Sequence, residues 1–256
     1  MAQGDYADSL LNLESVRKSL IRQEDTIIFS LIERAKYPLN LPLYDGDLLG
    51  CNSSRSLFEF FVKESEALQA KAGRYLWPEE NAFFPDNLPT SLLPPLNQPP
   101  VLHPRSATIN INEKIKKLYL DSLLPLIAAE GDDRNYAVTA ASDLNCLQAI
   151  SQRIHFGKFV AEVKFRDDPE DYIPAIRAKD KETLMKLLTF ESVEEMVKKR
   201  VEKKAKIFGQ DVGVEDHSSS SSSYKVDPSA VRKLYADWVI PLTKLVEVEY
   251  LLQRLD

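Results

Sequence analysis

The sequence has little glycine, few cysteines and histidines, and no excess of positive charge. Eight glycines in 256 residues, with no hairpin signals, argue against a β fold. Two cysteines, Cys51 and Cys146, are too few for a disulfide framework or a cysteine-rich metal site and fit a reducing compartment. His103, His155 and His217 lie far apart without metal-ligand spacing, so no metal is expected. The formal net charge of −6 leaves no broad basic field for nucleic acid, and any anion site must be local. No run approaches the roughly 18 apolar residues of a membrane span. The start, "MAQGDYADSLL", lacks both an apolar signal core and an arginine-rich transit pattern. A soluble protein of the cytosol, without membrane contact, is the expectation.

Catalytic signatures are missing too. There is no phosphate-binding G-x-x-x-x-G-K-S/T loop, no G-x-G-x-x-G after a strand, no G-x-S-x-G elbow and no H-E-x-x-H. The obvious nucleophilic and metal-assisted routes therefore have no support. What remains is chemistry that needs only well-placed charges and hydrogen bonds.

What is present is mostly helix. "LLNLESVRKSLIRQEDTIIFSLIERAKY" places Leu13, Val16, Leu20, Ile27 and Leu31 near helical spacing, with charges on the remaining face. A second helix is expected from about Ser54 to Tyr75. The following stretch, Trp77 to Arg105, carries eight of the fifteen prolines and cannot be one helix. Its Phe83, Phe84, Leu92, Leu93 and Leu102 suggest a loop, about 76–110, packed onto the body. Helices resume with "INEKIKKLYLDSLLPLIAA", interrupted near Pro125, and Thr139 to Phe165 reads as one helix. "DDPEDYIPAIRAKD" is a connector. "SVEEMVKKRVEKKAKIF" follows, with a Ser192/Glu195 capping box and Gly209 at its end. Six serines, Ser218 to Ser223, mark a surface loop at about 210–226. The last helix opens at Asp227 and Pro228 and is kinked by Pro241. The only strand-like stretch, "KFVAEVKF", is embedded in helical neighbours. No internal repeat at a fixed period is seen, and the fold class is all-α.

Three constellations stand out. In "RIHFGKFVAEVKF", Arg153, Gly157, Val160 and Lys164 share one helix face over about 16 Å of axial rise. This is either a charged outer stripe with a glycine at a helix crossing, or two cationic arms closing on a small dianion with Gly157 leaving room for it. His155 fits a satisfied core histidine. In "PLTKLVEVEYLL", Thr243 and Glu247 lie one turn apart beside Val246, Tyr250 and Leu251. A carboxylate there is either an exposed pair member or a buried acid with a raised pKa. Arg17 sits next to Val16 and near Leu20, and Glu194 and Glu195 suit a helix start whether or not they have another role.

Together, "NLESVRKSLIRQEDTIIFSLIERAKYP", "RIHFGKFVAEVKF" and "PLTKLVEVEYLL" closely resemble the eukaryotic all-helical chorismate mutases, above all the plant cytosolic type. The resemblance covers Leu11 to Asp256. It implies a single domain over 1–256, a homodimer, and a cofactor-free rearrangement of chorismate to prephenate in aromatic amino acid biosynthesis. It implies that Arg17 and Arg153 bind the substrate's carboxylates, and that Lys164 reaches the ether oxygen and a carboxylate. Protonated Glu247 donates to that oxygen with Thr243 beside it, and Glu194 accepts from the ring hydroxyl. Where the family carries an amide or carboxylate, this chain has Phe190, so another residue such as Thr189 would have to supply that contact.

Regulated relatives bind tyrosine or tryptophan at the dimer interface through paired arginines and a Gly-Ser step. Here those segments read Gly73-Arg74 and Ala137-Val138, which implies insensitivity to both amino acids. The alternative is a helical dimer that has lost catalysis and serves as a binding scaffold. Phe190 favours that alternative, and the five residues Arg17, Arg153, Lys164, Thr243 and Glu247 oppose it. A nucleic-acid role for "VKKRVEKKAK" is weak, because its charges alternate with glutamates as on a solvated helix face.

Overall fold

Asn12 opens the first helix by accepting from the Ser15 N–H at 2.9 Å, while the Ser15 hydroxyl accepts from the Asn12 N–H at 3.3 Å, a reciprocal cap. The computed structural model describes residues 11–49, 55–94, 101–210 and 224–256. Cys51, His217 and the Ser218–Ser223 run lie outside the described residues. In chain order the helices are α1 Leu13–Arg34, α2 Leu57–Lys71, α3 Asn112–Leu118, α4 Leu124–Ile127, α5 Tyr136–His155 and α6 Gly157–Asp167. They continue with α7 Pro169–Arg177, α8 Lys181–Leu188, α9 Glu191–Gly209, α10 Pro228–Leu234 and α11 Ile240–Gln253. No strand occurs among the described residues, and the strand-like "KFVAEVKF" lies within α6. The all-α reading stands.

Helix α1 packs along α5 and also meets α6 and α9. Ile27, Ile28 and Leu31 enter the main core, whereas Leu13, Val16 and Leu20 join Val160 and Val163 in a smaller cluster. The charges of α1 do not all face water as the pattern suggested, for Glu24 and Arg34 are fully buried. Each is matched. Arg200 donates to both Glu24 oxygens, at 2.9 and 2.5 Å, and Lys204 lies 3.0 Å away. The basic stretch of α9 is therefore partly spent inside the protein rather than being wholly a solvated face. Arg34 donates to Asp143 of α5 at 2.5 Å and to the carbonyls of Tyr37 and Pro38. The Tyr44 and Tyr119 hydroxyls complete the Asp143 carboxylate.

The proline-rich segment is pinned from beneath. Buried Glu66 of α2 accepts from the Phe83 and Phe84 N–H groups at 2.7 and 2.9 Å, and Phe83 and Leu102 are buried. Leu92 and Leu93, expected to pack inward, are exposed. At Leu92 the tether is backbone, its N–H donating to the Lys71 carbonyl at 2.9 Å.

Two prolines give a result the sequence reading missed. "KLYLDSLLPL" (117–126) and "KLYADWVIPL" (233–242) share Lys-Leu-Tyr, an aspartate and Pro-Leu in one register. In both, the tyrosine begins a π turn, Tyr119–Leu123 and Tyr235–Val239, closed by the Leu124 N–H on Tyr119 and the Ile240 N–H on Tyr235. Proline has no N–H for the carbonyl four residues back, and widening the preceding turn accommodates that loss. Pro125 and Pro241 thus mark π turns within helices.

The expected helix Thr139–Phe165 starts earlier and is divided at Phe156 into α5 and α6. Helix α9 begins at Glu191, so Ser192 is inside it and cannot cap. Glu195 pairs instead with Arg232 and Lys198, both at 2.7 Å. At the start of α6, a Cβ on Gly157 would stand 2.9 Å from the Thr243 carbonyl oxygen and 3.3 Å from Glu247 Cγ. The space beside Gly157 is filled by α11, not by a ligand, so the glycine marks a helix crossing.

Two outcomes follow. Asp143→Asn leaves the buried Arg34 guanidinium without its counter-charge, and a loss of about 3–5 kcal/mol is expected in urea unfolding; an unchanged midpoint would refute the pairing. Gly157→Ala gains about 1 kcal/mol of helix propensity but meets a carbonyl that cannot swing aside, at about 1–3 kcal/mol for overpacking. A lower unfolding midpoint is expected, and a higher one would mean that the crossing opens easily.

Candidate functional site

Four helical walls face a common cleft of about 360 Å³. From α1 come Leu13, Val16, Arg17 and Leu20, and from α9 Phe190, Val193, Glu194 and Val197, counting the residue just before that helix. From α11 come Ile240, Thr243, Lys244 and Glu247. Each set has the spacing i, i+3, i+4, i+7 of a single helix face. Arg153 at the end of α5, with Val160 and Lys164 of α6, supplies the fourth wall. All six residues singled out from the sequence, Arg17, Arg153, Lys164, Glu194, Thr243 and Glu247, line this one cleft.

Its floor is buried and charged. Arg153 is 6% exposed, and among the described residues its only hydrogen bond is a long one of 3.4 Å to the Thr243 hydroxyl. Its Nε has no hydrogen-bond partner, and no carboxylate lies within ion-pair distance of it among the described residues. The Thr243 hydroxyl is held in turn, donating to the Val239 carbonyl at 2.7 Å. Glu247 is 4% exposed and takes a hydrogen bond from Lys164 at 3.3 Å. Burial pushes the Glu247 carboxyl above the usual carboxylate range, and the nearby cations Lys164 and Arg153 only partly offset this. Arg17 is solvent-exposed on the rim.

Two residues complete the wall in ways the sequence reading did not foresee. Lys244 donates to Glu194 at 2.8 Å and to the Thr189 hydroxyl at 3.2 Å. Its place in the 240, 243, 244, 247 stripe was the signal available. Thr189 does not line the cleft, and its hydroxyl donates to the Met185 carbonyl at 2.7 Å, so it does not stand in for a polar group at Phe190. Phe190 itself lies over Lys164, with Nζ 5.1 Å from the ring centroid.

Neighbouring candidates prove structural. His155 accepts from the Ile111 N–H at 3.1 Å, its other ring nitrogen lies 2.9 Å from the Ser151 carbonyl, and burial holds its pKa down at about 3. Lys158 is buried and donates to the Pro78 carbonyl, tying the proline-rich segment to α6. The effector-type residues are not gathered in one chain. Gly73 adopts φ +84, and Arg74 is bound to Glu80 at 2.8 Å and to Gln148 at 2.7 Å. Ala137 and Val138 are exposed in the first turn of α5, about 15 Å of helix rise from Gln148.

Among the described residues no helix is long and apolar enough to cross a membrane, and no His/Cys/Asp/Glu group could hold a metal ion. Residues 135–248 match the family model "Chorismate mutase type II". The chain is 59% identical to chorismate mutase 2 of Arabidopsis thaliana, over 99% of this chain and 97% of that one. It is 54% identical to cytosolic chorismate mutase 2 of Zea mays, over 96% and 97%. Among solved structures, AtCM1 with tyrosine bound in its allosteric site superposes with a TM-score of 0.86 at 52% identity, covering 96% of this chain and 98% of that one. The Candida albicans chorismate mutase in complex with L-Trp gives 0.92 at 39% identity, over 97% and 94%. A stripe from each wall, a buried arginine without a carboxylate and a buried glutamate under a lysine thus lie in a fold shared along its whole length, and the chain belongs to the type II chorismate mutases.

Proposed function

We propose that this cleft converts chorismate to prephenate, with the whole chain acting as one domain and two chains forming the working dimer. The observation that carries the reading is the buried Arg153, without a carboxylate partner, set in the same cleft as the Lys164–Glu247 pair. A guanidinium buried without a counter-ion is costly unless an anion arrives, and the substrate is a dicarboxylate.

The reaction is unimolecular. One C–O bond breaks as one C–C bond forms, and the ether oxygen becomes the carbonyl of the pyruvyl side chain. No atom is gained or lost, so no nucleophile, metal or cofactor is required. Arg17 and Arg153 grip the two carboxylates and Glu194 accepts from the ring hydroxyl, which selects the folded, chair-like conformer. Lys164 and protonated Glu247 donate to the ether oxygen as negative charge grows on it. Thr243 braces Arg153.

For the dimer, the supporting feature is a set of exposed apolar side chains around the end of α2, among them Leu68, Trp77, Leu92 and Leu93. The name of the Zea mays relative favours a cytosolic location. AtCM1 and the Candida enzyme hold tyrosine and tryptophan in solved structures. Against the same response here, Arg74 is already committed to Glu80 and Gln148, and Val138 has no hydroxyl to offer.

The test is the initial rate of chorismate loss across pH. Because the acid form of Glu247 is the active one, activity falls as pH rises through its raised pKa. Glu247→Gln keeps the donor and flattens the profile, while Glu247→Ala loses about 10²–10³-fold in kcat. A Gln variant dead at every pH would reject the assignment. Added tyrosine or tryptophan leaves the wild-type rate unchanged, and strong inhibition by either would overturn the insensitivity.

A further inference from the structure

Among the described residues, two neighbours hold the Lys164 ammonium, the Glu247 carboxyl on α11 and the Phe190 ring at the start of α9. Phe190 is half-exposed, at 51%, yet it lines the cleft rather than a separate surface. The 5.1 Å from Nζ to the ring centroid lies within the roughly 6 Å over which a ring face attracts a cation. Lysine is a point charge on a flexible four-carbon stem and must be held if its donors are to meet one atom of a ligand.

The chemistry of the holder matters. A carboxylate at 190 would draw Lys164 into an ion pair, and an amide oxygen would take up one of its N–H groups. A ring face attracts the charge through its quadrupole while leaving the N–H donors available. It also keeps water from one side of the ammonium. Glu247, the other neighbour, is the group expected to share the ligand oxygen with Lys164, so Phe190 is the contact that persists when substrate enters.

We propose that Phe190 is a positioning residue for Lys164, holding its ammonium at the reacting end of the cleft without consuming a hydrogen-bond donor. This rests on the mutase reading above. It also means that the loss of a polar group at this position is compatible with catalysis and is no sign of a dead scaffold.

The experiment varies electron density at 190 while preserving shape. Phenylalanine is replaced by its mono- and trifluorinated analogues, with Phe190→Tyr as the conservative variant and Phe190→Leu as the apolar control. Chorismate turnover is measured for each. We expect kcat to fall in steps with fluorination and by about two- to fivefold in Phe190→Leu, with smaller changes in KM, because the ether-oxygen charge exists only in the transition state. Phe190→Tyr should restore the rate.

A readout independent of turnover is the ring-current shift of the Lys164 ε-methylene protons, present in the wild type and lost in Phe190→Leu. A flat fluorination series in an active enzyme, or no ring-current shift, overturns the proposal. A wild type that does not consume chorismate overturns the mutase reading instead, and the ring-current shift then decides the Lys164–Phe190 contact alone.

Discussion

The cleft depends on a contact in which one partner has no side chain. At Gly157 the first turn of α6 comes so close to α11 that a single methyl group would stand 2.9 Å from the Thr243 carbonyl. On one side of that crossing are Arg153 and Lys164, one turn before and two turns after the glycine. On the other are Thr243 and Glu247, one turn apart. The crossing therefore fixes four of the six site residues with respect to one another, and α1 and α9 need only bring Arg17 and Glu194 to the open side. Because the interaxial distance is set by backbone on backbone, it does not drift with rotamers. A site that works by placing donors within a fraction of an ångström gains from such a hard stop.

Buried charge elsewhere in the molecule shows what a purely structural solution looks like. Arg34 and Asp143 are both fully buried, and their partners come from α1, α5, the π turn that follows α3 and the turn at Tyr44. Glu24 is likewise closed off by Arg200 and Lys204. Arg153 is nearly as deeply placed but has a hydroxyl at 3.4 Å where Arg34 has a carboxylate at 2.5 Å. Folding stability would be served by pairing Arg153, since an uncompensated buried cation is among the more expensive features a core can hold. Its persistence in a cleft faced by other cations is a cost that, under the proposed function, an arriving dianion would offset.

Much of this was legible in the sequence because helices write their faces at fixed spacing. Arg153, Val160 and Lys164 could be read as one face, and Thr243 with Glu247 as another, since each set lies along one stretch of sequence with helical spacing. That the two faces meet needed tertiary contact, which periodicity does not encode; the resemblance to a known family supplied it. Gly157 shows the limit well, for a glycine on a charged face fits a ligand or a crossing equally, and only the approach of α11 decides between them. The burial of Glu24 and Arg34 was invisible for a related reason. A charged residue reads as solvent-facing until partners distant in sequence, such as Arg200 or Asp143, are placed beside it. The twin π turns were there to be read in two "KLY" segments, but a pair of matching segments does not form a periodic repeat.

Two glutamates on the same pair of packed helices show how the fold sets protonation. Glu162 of α6 and Glu247 of α11 are both almost wholly buried, and burial alone pushes both toward the neutral acid. Glu162 receives hydrogen bonds from Arg254, Tyr250 and Arg166, three of them at 2.6 Å, and together these outweigh burial and lower its pKa. Glu247 has one such donor, Lys164, at a longer 3.3 Å, and burial prevails. Fewer and longer hydrogen bonds, together with a heavier desolvation, separate Glu247 from Glu162. Adding a second close donor to Glu247 would tighten the fold and favour the ionised form, against the protonated acid that the proposed function requires. The sparse hydrogen bonding around Glu247 is thus the electrostatic counterpart of Arg153 without a carboxylate: in both places the protein leaves under-bonded a group that the proposed function assigns to the substrate.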